Sequence, residues 1–300
     1  MTTQDVSVKQ VKHSRFTPSA TRKALLTVVG FLLFFLFMLP FLLVIINSAK
    51  ERSEIMMSPV TLPNNWGQIF TNINDLLNNP NFSFWSAFFD SVVVTVSSLA
   101  IIVVFSAMGA WVLVRNKTKW SAVIFLAFVA AMVVPFQVVM FPLVQWLRML
   151  GDFLRFPLLR TYQGILLCYL GFGASLSVFV FHGFIKGVPL ELEEAADIDG
   201  CSRAGTFFRI VFPLLQPTAV TVMILNGIWI WNDYLLPLLV LGPSGNVQTM
   251  PLAVAAFAGA YVKQWERILT SALLAMLPII ILFLFAQRYI IRGMVEGSIK

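Results

Sequence analysis

Five carboxylates crowd one short stretch of this 300-residue sequence: Glu191, Glu193, Glu194, Asp197 and Asp199, opposed before Pro213 only by Arg203 and Arg209. Such a cluster can form ion pairs with basic groups. Between the acids lie the small residues Ala195 and Ala196. A small knob ringed by carboxylates suits a basic cleft on a partner; a merely solvated acidic loop is the other reading, and the residues alone leave both open. The remaining polar side chains of interest lie in or near apolar runs: Gln137, Asn226, Asn232 and Asp233, with Trp229, Trp231 and Tyr234 close by. Amides at depth commonly bond one helix to another. An ionisable group within a span is costly and usually faces a wet cavity or a partner. The aromatic rings offer stacking faces for sugar rings, or simply an interfacial belt. His13 and His182 have no companion at metal-ligand spacing, and no G-x-x-x-x-G-K-[ST] loop is present, so neither metal chemistry nor nucleotide binding through that motif is expected.

The acidic stretch, 188–213, reads as two short helices around a turn. Pro189 suits a first helical position. Glu191, Glu193 and Glu194 then occupy the first turn, where negative charge complements the helix dipole. Gly200 permits the positive φ at which a helix stops. Ser202 is placed to cap the second helix, and Pro213 and Pro217 lead into the next apolar run.

The elements that must position these residues are membrane helices. The chain is 58% hydrophobic and 12% charged, and its charges cluster between apolar runs of about 20 residues or more, enough to cross a bilayer. Six spans are expected, at 24–47, 88–114, 121–145, 163–185, 214–241 and 268–290. They form an all-α, polytopic membrane domain, 24–290, between an N-terminal tail, 1–23, and a C-terminal tail, 291–300. Of the 21 basic residues, 14 fall on the side holding both termini and 7 on the other, so both termini and the acidic stretch are expected in the cytoplasm. The tight turn carrying Arg115, Lys117 and Lys119 is the cleanest marker. The net charge of +7 flanks spans rather than forming one face, so nucleic acid is not an expected partner; the lipid bilayer is. Prolines 40, 135, 142, 237 and 278 favour kinks, as in a bundle bent around a path. Asp233, about 24 Å of helix beyond Pro217, belongs near the outer end of the fifth span. The first outer loop, 48–87, holds Trp66 and Trp85, as an interfacial belt or as a docking surface.

Glu194-Ala195-Ala196, three residues, Gly200, nine residues, Ile210, one residue and Phe212-Pro213 together resemble the EAA loop of ABC importer permeases. Phe212 stands where the pattern has leucine. The run Val188 to Gly200, the segment Trp231-Asn-Asp-Tyr-Leu-Leu-Pro237 and the closing run from Gln287 resemble carbohydrate importers of the maltose and glycerol-3-phosphate type, closest to the second of their two permeases. At Asp90-Ser91 that family usually carries Asn-Ser. The resemblance covers about 24–300. It implies a type I ABC importer permease fold and a non-enzymatic role, with no cofactor bound by this chain. The implied partners are a homologous second permease, two cytoplasmic ATPase subunits that use ATP and Mg, and an extracytoplasmic solute-binding protein. Glu193, Glu194, Ala195, Ala196, Asp199, Gly200, Ile210 and Pro213 become the ATPase-coupling residues, with Glu194 the ionic contact. Gln137, Asn226, Trp229, Trp231, Asn232, Asp233 and Tyr234 become pathway candidates for a sugar, such as an oligosaccharide or sugar derivative. Other readings are an ABC permease for a non-sugar solute, an ion-coupled secondary transporter with Asp233 as its ion site, and a membrane enzyme.

Overall fold

The computed structural model describes residues 20–80, 83–243, 245–258 and 263–298. His13 and most of the N-terminal tail, with Lys300, lie outside them. Fourteen α-helices follow one another among the described residues: α1 Ala20–Ser48, α2 Arg52–Met57, α3 Gln68–Leu77, α4 Phe84–Arg115, α5 Lys119–Ala131, α6 Phe136–Leu154, α7 Tyr162–Ile185, α8 Glu191–Ile198, α9 Arg203–Thr206, α10 Phe212–Leu214, α11 Gln216–Asn232, α12 Leu235–Val240, α13 Met250–Ala255 and α14 Trp265–Ser298. One π-helical turn, Phe207–Val211, joins α9 to α10. Four helices are long and apolar enough to cross a membrane unbroken, or six passes result if each of two sharply bent pairs counts as one.

The centre is the α4–α7 pair, flanked by α11 and α5, while α1 packs on α14. Gly173 of α7 makes this closeness possible. A Cβ there would stand 2.6 Å from Ile102 Cδ1 of α4 and 2.9 Å from Asn226 Oδ1 of α11, so three helices meet where only a hydrogen fits. Ile102, Val178, Phe181 and Val222 fill the buried seam around the crossing. By contrast α5 buries none of its residues and α1 exposes most of its apolar ones, as lipid-facing or partner-facing helices do.

Two expected spans are not single helices. The third, 121–145, breaks between α5 and α6 with a bend of 109°. Pro135 has no backbone donor and disfavours helix in the residue before it. The chain closes α5 with tight i−3 bonds, Val133 N–H to the Ala130 carbonyl (3.1 Å) and Val134 N–H to that of Ala131 (3.3 Å), and restarts with Pro135 as the N-cap of α6. The fifth, 214–241, turns by 76° at Leu215, runs as α11 and stops at Asn232, with α12 as a separate short helix. The second begins earlier than expected, at Phe84, and the sixth continues as α14 through Ser298, so most of the expected C-terminal tail is helix. In the first outer loop, α2 and α3 pack against α14. Here Lys50 is fully buried, its Nζ donating to the Ser58 carbonyl at 2.7 Å and to Asn47 Oδ1 at 3.3 Å. Asn72 of α3 reaches back to the carbonyls of Ser48 and Lys50, at 2.9 and 3.0 Å.

Candidate coupling site

The acidic stretch folds as helix, turn, helix. Leu190, not Pro189, is the N-cap of α8, so Pro189 lies just outside the helix rather than at its first position. The helix ends at Ile198, with Asp199 as its C-cap, and the chain turns at Gly200, whose φ is +77°. Gly200 N–H donates to the Asp197 carbonyl (3.1 Å) and Cys201 N–H to that of Ala196 (2.9 Å), the pair of bonds of a Schellman cap. Ser202 caps α9, its hydroxyl accepting from Gly205 N–H at 3.2 Å.

The helix sorts the acids onto two faces. Glu191, Glu194, Ala195, Asp197, Asp199 and Gly200 are exposed, while Glu193 and Ala196 are buried. Ile198 stands 87% exposed among the outer carboxylates. Of the residues expected in the coupling set, Ile210 is half-buried in the π turn and Pro213 is exposed at the start of α10.

Glu193 points inward, away from the face where a partner would dock. One of its oxygens, Oε1, accepts from Arg115 Nε (2.9 Å) and Nη2 (2.7 Å), and Oε2 accepts from Trp111 Nε1 (2.9 Å). Arg115 Nη2 also donates to the Val188 carbonyl at 3.0 Å. The Trp111 ring lies 5.5 Å from that of Phe207 in the π turn. Paired, hydrogen-bonded burial is what makes a carboxylate tolerable there. Trp111 and Arg115, four residues apart on one face of α4, carry this clasp. Nothing in the sequence pairs them with Glu193 rather than with another of the five acids.

The expected pathway residues divide. Asn226 is buried, donating to Ser177 Oγ (3.1 Å) and to the Val222 carbonyl (2.9 Å). Trp231 is buried too, its Nε1 on the Ala275 carbonyl of α14 at 3.1 Å. Both bond one helix to another. Asp233 ends α11 and caps α12: Oδ1 accepts from Leu235 N–H (3.0 Å) and Leu236 N–H (3.4 Å), and Oδ2 from Tyr169 Oη (3.2 Å). Trp229 and Asn232, three residues apart on α11, are exposed together with Leu225, and Tyr234 and Gln137 are exposed as well. The Trp229 ring meets Tyr169 edge-on at 5.4 Å.

At the other end of α4 is a second junction. Asp90 accepts from Tyr162 Oη of α7 and, at 2.8 Å, from Gln248 N–H; Ser91 Oγ accepts from Met250 N–H at 2.7 Å. The start of α7 and the entry to α13 are thereby fastened to one point.

Residues 102–296 match the family of binding-protein-dependent transport system inner membrane components. The chain is 40% identical over 279 residues to the probable starch degradation products transport system permease protein AmyC of Thermoanaerobacterium thermosulfurigenes, covering 93% of this chain and 97% of that one. It is 31% identical over 285 residues to the multiple sugar-binding transport system permease protein MsmG of Streptococcus mutans, covering 92% and 95%. Among solved structures, a chain of a bacterial ABC transporter involved in the import of the acidic polysaccharide alginate superposes with a TM-score of 0.72 at 20% identity, covering 91% of this chain and 98% of that one. That likeness is one of fold.

Proposed function

We propose, for a chain that belongs to the family of binding-protein-dependent transport system inner membrane components, that it is the permease subunit of an ATP-driven importer of a sugar or oligosaccharide. It forms half of the pathway beside a homologous second permease. Two cytoplasmic ATPases drive it, and an extracytoplasmic solute-binding protein delivers the cargo. Both termini and α8 face the cytoplasm. The sugar assignment is supported by the relatives, whose names speak of starch degradation products and multiple sugars.

One observation carries the coupling role: α8 presents Glu191, Glu194, Asp197 and Asp199 outward around the exposed Ile198, an apolar tip in an acidic ring. It fits a basic-rimmed apolar pocket on an ATPase subunit, with Glu194 as the ionic contact and the Gly200 turn setting the tip's shape. Gln137, Trp229, Asn232 and Tyr234 remain the pathway candidates, because their side chains are exposed for a cargo or the second permease to meet. Asn226, Trp231 and Asp233 serve better as the joints that hold that face.

Two variants test the role. Glu194→Lys and Gly200→Asp should reach the membrane in normal amount, while the ATPase subunits no longer co-purify and sugar uptake is lost. Wild-type uptake by either variant would remove α8 from the coupling role. Uptake into vesicles should follow ATP; uptake following a proton or sodium gradient instead would favour the secondary-transporter reading.

A further inference from the structure

We infer that Glu193 is an internal latch, a positioning residue that makes α8 rigid with α4, so that a pull on α8 reaches the outer side of the protein through α4. This rests on the docking role proposed for α8, and it gives the two adjacent glutamates opposite tasks: Glu194 takes the force and Glu193 passes it on.

Without the latch, α8 would be tied to the bundle by the connector Lys186–Leu190, which contains Gly187, a residue that stiffens a chain least, and by its packing on α9 and the π turn, with no side-chain bond to α4. With it, three parts of the coupling region converge on the last turns of α4. Glu193 of α8 and the Val188 carbonyl of the connector are both held by Arg115, and Phe207 of the π turn lies against Trp111. Arg115 and Glu193 form an ion pair with an N–O separation of 2.7 Å. The guanidinium presents Nε and Nη2 to one carboxylate oxygen while Trp111 Nε1 holds the other, so the carboxylate is fixed in orientation as well as in distance.

The shape of α4 decides what it does with the motion. It runs 32 residues with no proline inside, whereas α1, α6 and α14 each contain one. From Arg115 to Asp90 is about 38 Å of helix. At the far end Asp90 and Ser91 hold Tyr162, Gln248 and Met250. Because α7 packs along α4, the two move as one body. The latch therefore joins the ATPase-facing knob to the outer junction by one unkinked element.

The test uses the complete transporter in proteoliposomes, on a background of Cys168→Ala and Cys201→Ser that removes the two free thiols. Three quantities are read: ATPase subunits bound per permease, ATP hydrolysis with loaded binding protein, and sugar moved per ATP. Glu193→Ala should keep the ATPase subunits and continue to hydrolyse ATP, while sugar per ATP falls about tenfold or more, since a broken buried pair biases a two-state element strongly. Glu193→Cys with Arg115→Cys should fail in the same way. A reducible bis-thiosulfonate linker joining the two thiols should restore the ratio to within about twofold of the background, and reductant should abolish it again. The latch is overturned if Glu193→Ala moves the background amount of sugar per ATP, if its uptake falls only in proportion to lost ATPase subunits, or if the linked cysteine pair recovers nothing. Failure of the docking role itself shows elsewhere, as full ATPase binding and uptake by Glu194→Lys.

Discussion

Replacing Asp90 separates the charge of a buried group from its hydrogen bonds. Its carboxylate is 8% exposed and has no ion-pair partner among the described residues, yet it accepts from Tyr162 Oη and from Gln248 N–H. Alanine would leave both donors without an acceptor. A fully buried donor so stranded costs about 1–3 kcal/mol; both of these bonds are only partly buried and water can meet the donors in part, so Asp90→Ala should destabilise by roughly 1–3 kcal/mol in all, with Ser91 still holding Met250. Asparagine behaves differently. Its carbonyl oxygen can accept from Gln248 N–H while its amide donates to Tyr162, whose hydroxyl rotates to accept. Lost charge assistance, about 1 kcal/mol for each bond, is offset by no longer burying an unpaired carboxylate. Asp90→Asn should therefore stay within about 1 kcal/mol of the parent, which agrees with the Asn-Ser that the resembled carbohydrate family usually carries here.

Thermal unfolding of the purified complex in detergent measures the difference, and sugar uptake gives a second reading. Alanine should lower the midpoint by several degrees and asparagine hardly at all. If asparagine were as damaging as alanine, the charge itself would be needed. A cation from elsewhere in the assembly would then have to meet it, and the hydrogen-bond reasoning would fail.

Two further perturbations probe the packing, one at the α4–α7–α11 crossing and one in the loop that follows α1. Gly173→Ala places a methyl 2.6 Å from Ile102 Cδ1 and 2.9 Å from Asn226 Oδ1, so it should cost about 1–3 kcal/mol. Adding Ile102→Val removes the nearer atom and should recover part of that loss in the same thermal assay; no recovery would mean that the strain lies against Asn226. Lys50→Met strands the Ser58 carbonyl and Asn47 Oδ1, for a loss of about 1–3 kcal/mol. It should speed protease cleavage or amide exchange between residues 50 and 62, and unchanged exchange there would show that the buried ammonium holds nothing together.

The parts of the molecule legible in the sequence are those decided locally. The Gly200 turn and the Ser202 cap were readable because a positive φ and a hydroxyl cap need particular residues at particular steps. Helix ends at Arg115 and Lys119 were readable because charge cannot sit in hydrocarbon. The bends were not. Hydrophobicity runs from Phe125 through Phe141 with Gln137 as its one strongly polar side chain, and it has magnitude but no direction. Pro135 says that a helix is interrupted there; whether the chain then kinks slightly or turns through 109° depends on what α6 packs against, and α6 finds α12. Asp233 is ambiguous for a related reason. A carboxylate that caps a helix and one that binds an ion look alike in a sequence, and only the two backbone N–H groups at Leu235 and Leu236 distinguish them.

Glu193 and Glu194 pose that problem most sharply, since they are neighbours of one type in one motif. Successive residues on an α-helix point about 100° apart, so two adjacent acids cannot both face a partner squarely. Which one turns inward is set by the partner already inside. A tryptophan N–H and a guanidinium at the inner end of α4 can be satisfied only by an acceptor, and they claim the glutamate that lies over them. Arg115, one of the charges from which a cytoplasmic end of α4 is expected, is thus also the charge that selects the inward glutamate. Moving that arginine by one residue along α4 should leave the topology intact and break the clasp: Arg115→Val with Val114→Arg should insert normally, as read by cysteine accessibility on the two sides, yet lose sugar moved per ATP as Glu193→Ala does. Full transport by this variant would show that any cation near the end of α4 suffices, and that the geometry of the pair carries no part of the coupling.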